Sequence, residues 1–210
     1  DRMRKAIASA LRQDLLATYH ANRSNEAYSP DAESAGRRAL KNPALAYLAA
    51  VEDGDALDLL NTQYHTADNM TDSMAALSAL ANAATPERIR AIDAFYSRWK
   101  DEPLVVDKWL AVQAASRLPQ TLTEVQGLCR HPAFDLRNPN KVYALIRTFC
   151  LGNHVRFHAA DGSGYDFAAE RIIELDRLNA QVAARVARAF DRWRRFDANT
   201  DRWLREPGQL

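Results

Sequence analysis

Apolar residues recur along most of the chain at intervals of three and four, the spacing of amphipathic helices. Between Arg88 and Lys100, Ile89, Ile92, Phe95, Tyr96 and Trp99 share one helical periodicity, and Leu104 to Ala115 repeats it with Val105, Trp109 and Val112. Met3, Ile7, Leu11 and Leu15 mark a stripe on a predicted N-terminal helix, and Val182, Val186, Phe190 and Trp193 mark another between Asn179 and Phe196. Strands have little support. Alternating β-branched runs are missing, and the pair Val105-Val106 falls inside a strongly helical pattern.

Prolines punctuate these segments. Pro30, Pro43, Pro86, Pro103, Pro119, Pro132 and Pro139 fall between periodic stretches, and Ser29, Asn42, Thr85 and Asn138 each precede one of them. Proline in the first helical position has no amide to leave unpaired, and a preceding Ser, Thr or Asn accepts a hydrogen bond from the first turn. These positions therefore predict helix starts. Those near Pro86, Pro103 and Pro119 predict antiparallel helices of about four turns joined by short loops. The expected fold is all-α, an irregular superhelical stack of antiparallel helix pairs of the α-solenoid kind, built as a single helical domain over residues 1–210.

Composition narrows the function classes. A 210-residue chain with 47% hydrophobic residues buries a substantial core, and a formal net charge of +1 gives no global field for nucleic acid or acidic lipid. No apolar run approaches the roughly 20 residues that cross a bilayer, so no membrane partner is expected. Cys129 and Cys150 sit in apolar surroundings without ligand spacing, which predicts buried thiols in a reducing compartment and a cytoplasmic location. The chain opens on Asp1 inside a helical pattern, with no signal peptide, and reads as a piece of a longer protein.

Few motifs suggest chemistry. His154 and His158, four apart, would share a helix face as zinc ligands do, but the position of a general-base glutamate in H-E-x-x-H is Val155. The pair reads as packing and capping, and no metal site is expected in this chain. Asp161-Gly-Ser-Gly-Tyr-Asp lacks the lysine of a phosphate loop and follows no predicted strand. It reads as a turn in which Ser163 or Asp161 caps a helix from Tyr165 to Leu178. Asp197-Ala-Asn-Thr-Asp starts like a calcium loop but has Arg202 where glycine is required and Gly208 where glutamate is required. The triplets beginning at Asn22 and Asn69 match a glycosylation acceptor and carry no weight without secretion. Arg185, Arg188, Arg192 and Arg195, with Arg194 beside them, give the last helix a basic face. A nucleic-acid reader has such a face, yet the near-neutral chain and the lack of interleaved aromatics favour a solvated or carboxylate-binding surface.

Several strings in series carry a resemblance: Tyr64-His-Thr-Ala-Asp-Asn-Met-Thr-Asp-Ser-Met, Asp107-Lys-Trp-Leu, His131-Pro-Ala-Phe, Asn138-Pro-Asn-Lys-Val-Tyr and Phe157-His-Ala-Ala-Asp-Gly-Ser-Gly-Tyr. Over essentially its whole length the chain resembles the C-terminal domain of bacterial aminopeptidase N, the zinc alanyl aminopeptidase family. The resemblance implies an all-helical accessory domain that closes over a catalytic domain of the same parent chain and walls off a chamber for peptide substrates. It implies zinc in the parent and none here, and no catalytic residue here, because H-E-x-x-H, its following glutamate and the G-x-M-E-N-type segment are missing. It further implies that Arg185, in Asn179-Ala-Gln-Val-Ala-Ala-Arg, faces the chamber and pairs with a peptide carboxylate. Lys141 and Tyr143 stand where related enzymes show R-I-R and are the other expected substrate contacts, although Tyr143 departs from the basic pattern. A free-standing helical scaffold binding protein or nucleic acid through the arginine face is the alternative.

Overall fold

The structure is a computed structural model that describes residues 2–24, 26–51 and 53–196. The side chains of Arg192 and Arg194, and the stretch from Asp197 to Asp201, lie outside the described residues. Among those described, every regular element is helical, so the all-α expectation holds. The chain divides into two compact units, residues 1–95 and 96–210.

In the first unit, α1 (Arg2–Ala10), α2 (Arg12–Ala21), α3 (Ala32–Leu48), α4 (Gly54–Thr66) and α5 (Met70–Leu80) are followed by the start of α6 (Pro86–Trp99), and a 3₁₀ turn at Ala49–Val51 joins α3 to α4. Helix α2 packs on α3, and α4 on α5, as successive hairpins, with α3 also against α5. Side-chain caps set three of the starts: Asp31 accepts from the Ser34 amide, Asp53 from Ala56 and Asn69 from Asp72. Leu45, Leu48, Leu60, Leu77 and Leu80 fill the core at 2% exposure or less. Each contributes about 1.5–3 kcal/mol by leaving water.

Three expectations fail in this unit. Helix α3 starts at Ala32 under Asp31, so Ser29 does not cap it and Pro30 precedes it. Pro43 is inside α3 rather than at a helix start. The side chain of Asn42 does not cap; it donates to Asp72 and accepts from Gln63. Burial of Lys41, Ala44, Leu45 and Leu48 on both sides of the proline carries the helix across the missing hydrogen bond. The N-terminal stripe is also divided: the chain turns at Leu11 between α1 and α2, Met3 is 77% exposed, and Ala8 and Tyr19 are buried instead.

The second unit contains α7 (Pro103–Ala114), α8 (Thr121–Leu128), α9 (Pro139–Val142) running into a π-helical segment (Tyr143–Gly152), α10 (His154–Phe157), α11 (Ser163–Asp176), α12 (Ala180–Ala187) and a 3₁₀ segment (Arg188–Arg195). The π segment packs against α7, and α11 pairs with α12. Phe149 meets Phe157 and Phe167 edge to face, with centroids 6.3 and 5.6 Å apart. Pro103 and Pro139 open helices as expected. Pro119 lies in the turn before α8 rather than at its first position, and Pro132 lies in a turn that His131 organises by accepting the Ala133 amide through Nδ1.

Two devices fix the joint between α10 and α11. The Asn153 side chain caps α10 by accepting from Arg156, and it donates to the carbonyls of Ala114 and Ser116. Gly162 takes φ 76°, and the α-carbon of Gly164 sits so near the Phe157 carbonyl that an added Cβ would lie 2.3 Å from its oxygen.

Candidate functional site

The π segment, α10, α12 and the 3₁₀ segment surround a cavity of about 570 Å³ in the second unit. A π-helical turn is wider than an α turn, which keeps Tyr143, Arg147 and Leu151 on the cavity side. Thr148 follows the same geometry, its hydroxyl donating to the Tyr143 carbonyl five residues earlier. Helix α12 starts under the Asn179 cap, buries Val182, Ala183 and Val186, and leaves Arg185 exposed toward the cavity.

Arg185 and Tyr143, two of the expected substrate contacts, come together here. Arg185 Nη1 donates to the Tyr143 hydroxyl at 2.7 Å. Arg185 and Arg147 both stand near the face of the same ring, 6.0 and 5.9 Å from its centroid. Arg188 pairs with Asp191 at 3.2 Å. The wall thus holds three guanidiniums against one carboxylate.

Lys141, the third expected contact, lies outside the lining of this cavity. It is 8% exposed, its ammonium pairs with Asp107 at 2.8 Å, and it donates to the Pro103 carbonyl at 3.0 Å, tying α9 to the start of α7. Two of the three N–H groups of its ammonium are thus committed within the fold.

His154 and His158 stack on each other with centroids 5.7 Å apart, and Phe196 lies over His158 at 3.5 Å. His158 Nδ1 is 2.6 Å from the Tyr165 hydroxyl. Burial, and secondarily the neighbouring His154, push His158 down to about 4, so its ring is neutral at physiological pH. Among the described residues, no three His, Cys, Asp or Glu side chains converge as a metal-ligand set. Asp161 accepts from the Ser163 amide and hydroxyl, organising the turn before α11. Cys150 reaches the cavity wall, but its burial raises the thiol far above the range in which a thiolate forms. The arrangement suits electrostatic capture of an anion such as a carboxylate, with Tyr143 holding two guanidiniums in place.

Arg147 and Phe196 were not expected at this site. The i, i+4 spacing of Tyr143 and Arg147 is the only local signal for the first. Phe196 reaches the site through the fold of α12 and the segment after it, which no local pattern encodes.

The family described as "Domain of unknown function (DUF3458_C) ARM repeats" matches residues 1–207. Aminopeptidase N of Escherichia coli is 39% identical over 96% of this chain, and aminopeptidase N of Caulobacter vibrioides is 39% identical over 93%. The crystal structure of Legionella pneumophila aminopeptidase A in complex with aspartic acid superimposes with a TM-score of 0.85 at 32% identity, over 96% of this chain. The chain spans 23% of the length of the two curated relatives and 25% of the Legionella chain.

Proposed function

Because the chain belongs to the DUF3458_C family of ARM-repeat domains, we propose that it is the C-terminal accessory domain of a cytoplasmic zinc aminopeptidase that removes N-terminal residues from peptides. Its partner is the catalytic domain of the same parent chain. Zinc-activated water in that domain would supply the hydrolytic chemistry. This chain contributes a wall of the substrate chamber and a cationic surface that steers the far end of a peptide.

The observation that carries the proposal is the cavity lined by Arg147, Arg185 and Arg188, in which Tyr143 orders two of the three cations. A carboxylate entering it replaces water on charged donors without having to organise them first. The aminopeptidase names of the relatives support the parent activity. The unpaired thiols of Cys129 and Cys150 support a reducing compartment.

The test compares peptides that differ only at the far end. The parent enzyme is assayed on free-acid di- and tripeptides, on the same peptides with C-terminal amides, and on a single-residue chromogenic amide. A charge-assisted hydrogen bond of about 1.5–3 kcal/mol predicts a preference for the free acids of roughly tenfold or more in kcat/KM. The 210-residue chain alone should turn over none of them. Equal rates on acid and amide peptides would remove the steering role.

A further inference from the structure

The first unit holds a second cavity, of about 550 Å³, that the proposed peptidase role does not use. Its charged wall is mixed: Arg23 and Lys41 stand with Glu26, Asp68 and Asp72. The floor is rigid. Lys41 donates to Asp72 at 2.7 Å, Asn42 donates to the other oxygen at 2.8 Å, and Gln63 donates to the Asp72 carbonyl at 3.1 Å. Lys41 and Asp72 are 9% and 6% exposed, so this network was assembled at the cost of desolvating two charges.

Three donor groups in this wall retain capacity. The ammonium of Lys41 has one N–H on Asp72 and two further N–H groups. Among the described residues, the Arg23 guanidinium makes no ion pair. Tyr19 is 2% exposed and lines the cavity, and among the described residues its hydroxyl makes no hydrogen bond. Tyr19, Arg23 and Asp72 line the cavity together. Acceptors stand in the same wall: the Glu26 carboxylate is exposed and makes no ion pair among the described residues, and Asp68 accepts from the Tyr28 amide and Asn69.

We propose that this cavity binds a small zwitterion of the amino-acid class, a free α-amino acid or a dipeptide. Its carboxylate meets Arg23, Lys41 and Tyr19, and its ammonium meets Glu26 and Asp68. A simple anion satisfies the donors and leaves the carboxylates facing it; a simple cation does the reverse. Only a ligand carrying both charges uses the whole wall. The volume leaves room for either ligand together with bridging water.

The test is calorimetric titration of the 210-residue chain with L-alanine, alanyl-alanine, acetate and methylammonium at matched ionic strength. Saturable binding of L-alanine or alanyl-alanine is expected, with acetate and methylammonium silent over the same range; which of the two binds tighter identifies the ligand. Arg23→Ala should weaken binding tenfold or more, and Tyr19→Phe, which keeps the ring in the core, a few-fold. Arg23 is exposed, so its removal leaves the fold intact, which circular dichroism verifies. Absence of binding at millimolar ligand, binding of acetate as tight as that of the amino acid, or affinity unchanged in both variants would overturn the site. Loss of binding in Arg185→Ala but not in Arg23→Ala would assign the heat to the other cavity and overturn it equally.

Discussion

Asn153 is 3% exposed and does three things with one side chain: it caps α10 and donates to the carbonyls of Ala114 and Ser116, at 2.9 and 2.6 Å. Ala114 ends α7, so its carbonyl is one of those that the helix leaves unpaired. Asn153→Ala takes its donor away from the Ala114 and Ser116 carbonyls and removes a cap. A buried hydrogen bond removed from one partner costs about 1–3 kcal/mol and a cap about 1, so the loss should be about 3–7 kcal/mol. For a chain of this length that lowers Tm by about 10 °C. Asn153→Asp separates the roles. The aspartate keeps the capping oxygen but turns a carboxylate toward two carbonyls, and burial with that repulsion holds its folded pKa above the unfolded value of about 3.9. A raised folded pKa gives stability that is complete below the unfolded pKa and is lost as pH rises through the folded one. The aspartate variant should therefore fall further behind the native chain between pH 4 and pH 7, while the deficit of the alanine variant stays constant. Urea unfolding across that range measures both. An alanine variant within about 1 kcal/mol of native, or an aspartate variant that gains on the native chain as pH rises, would refute the bridging role.

Lys141→Ala should cost about 1.5–3 kcal/mol by leaving the half-buried Asp107 without its cation, and adding Asp107→Ala should recover part of it; a substrate-contacting lysine would instead raise KM and leave the melting temperature alone. His158 should stay neutral through pH 6 and titrate near about 4, as read by its imidazole NMR shifts. Its folded pKa lies below the ordinary 6.5, so its contribution to stability is present above pH 6.5 and is lost as pH falls through the folded value. A midpoint near 6.5 would show that the stack with His154 and Phe196 does not enclose it.

Much of the fold was legible because helices write themselves locally. The periodic runs at Arg88–Lys100 and Leu104–Ala115 became α6 and α7, and Pro86, Pro103 and Pro139 stand at the first position of their helices. Pro43 misled because Asn42 looks like a cap, whereas its amide is used by Asp72, a partner 30 residues away. The π segment left no mark, since the one-residue widening of each turn changes no residue type. Tyr143 and Arg185 were named through family resemblance, and their 2.7 Å contact joins residues 42 apart, beyond the reach of periodicity. Lys141 matched the same resemblance and lies apart from these two, because the half-buried Asp107 of the neighbouring helix pairs with it. Arg147 was missed for the opposite reason: alone in the sequence it is an ordinary surface arginine.

The most direct measurement is the kcat/KM ratio between free-acid and C-terminally amidated tripeptides for Arg185→Ala in the full parent enzyme. Arg185 is exposed and outside the Val182, Ala183 and Val186 core contacts of α12, so its removal should leave Tm unchanged. If the cavity holds the far carboxylate of a peptide, the free-acid preference collapses toward unity through a loss of about tenfold on the acids, while rates on amidated peptides and on the single-residue amide stay as they were. A preference that survives the substitution, or an equal loss on all three substrates, would contradict a substrate-steering role for this domain.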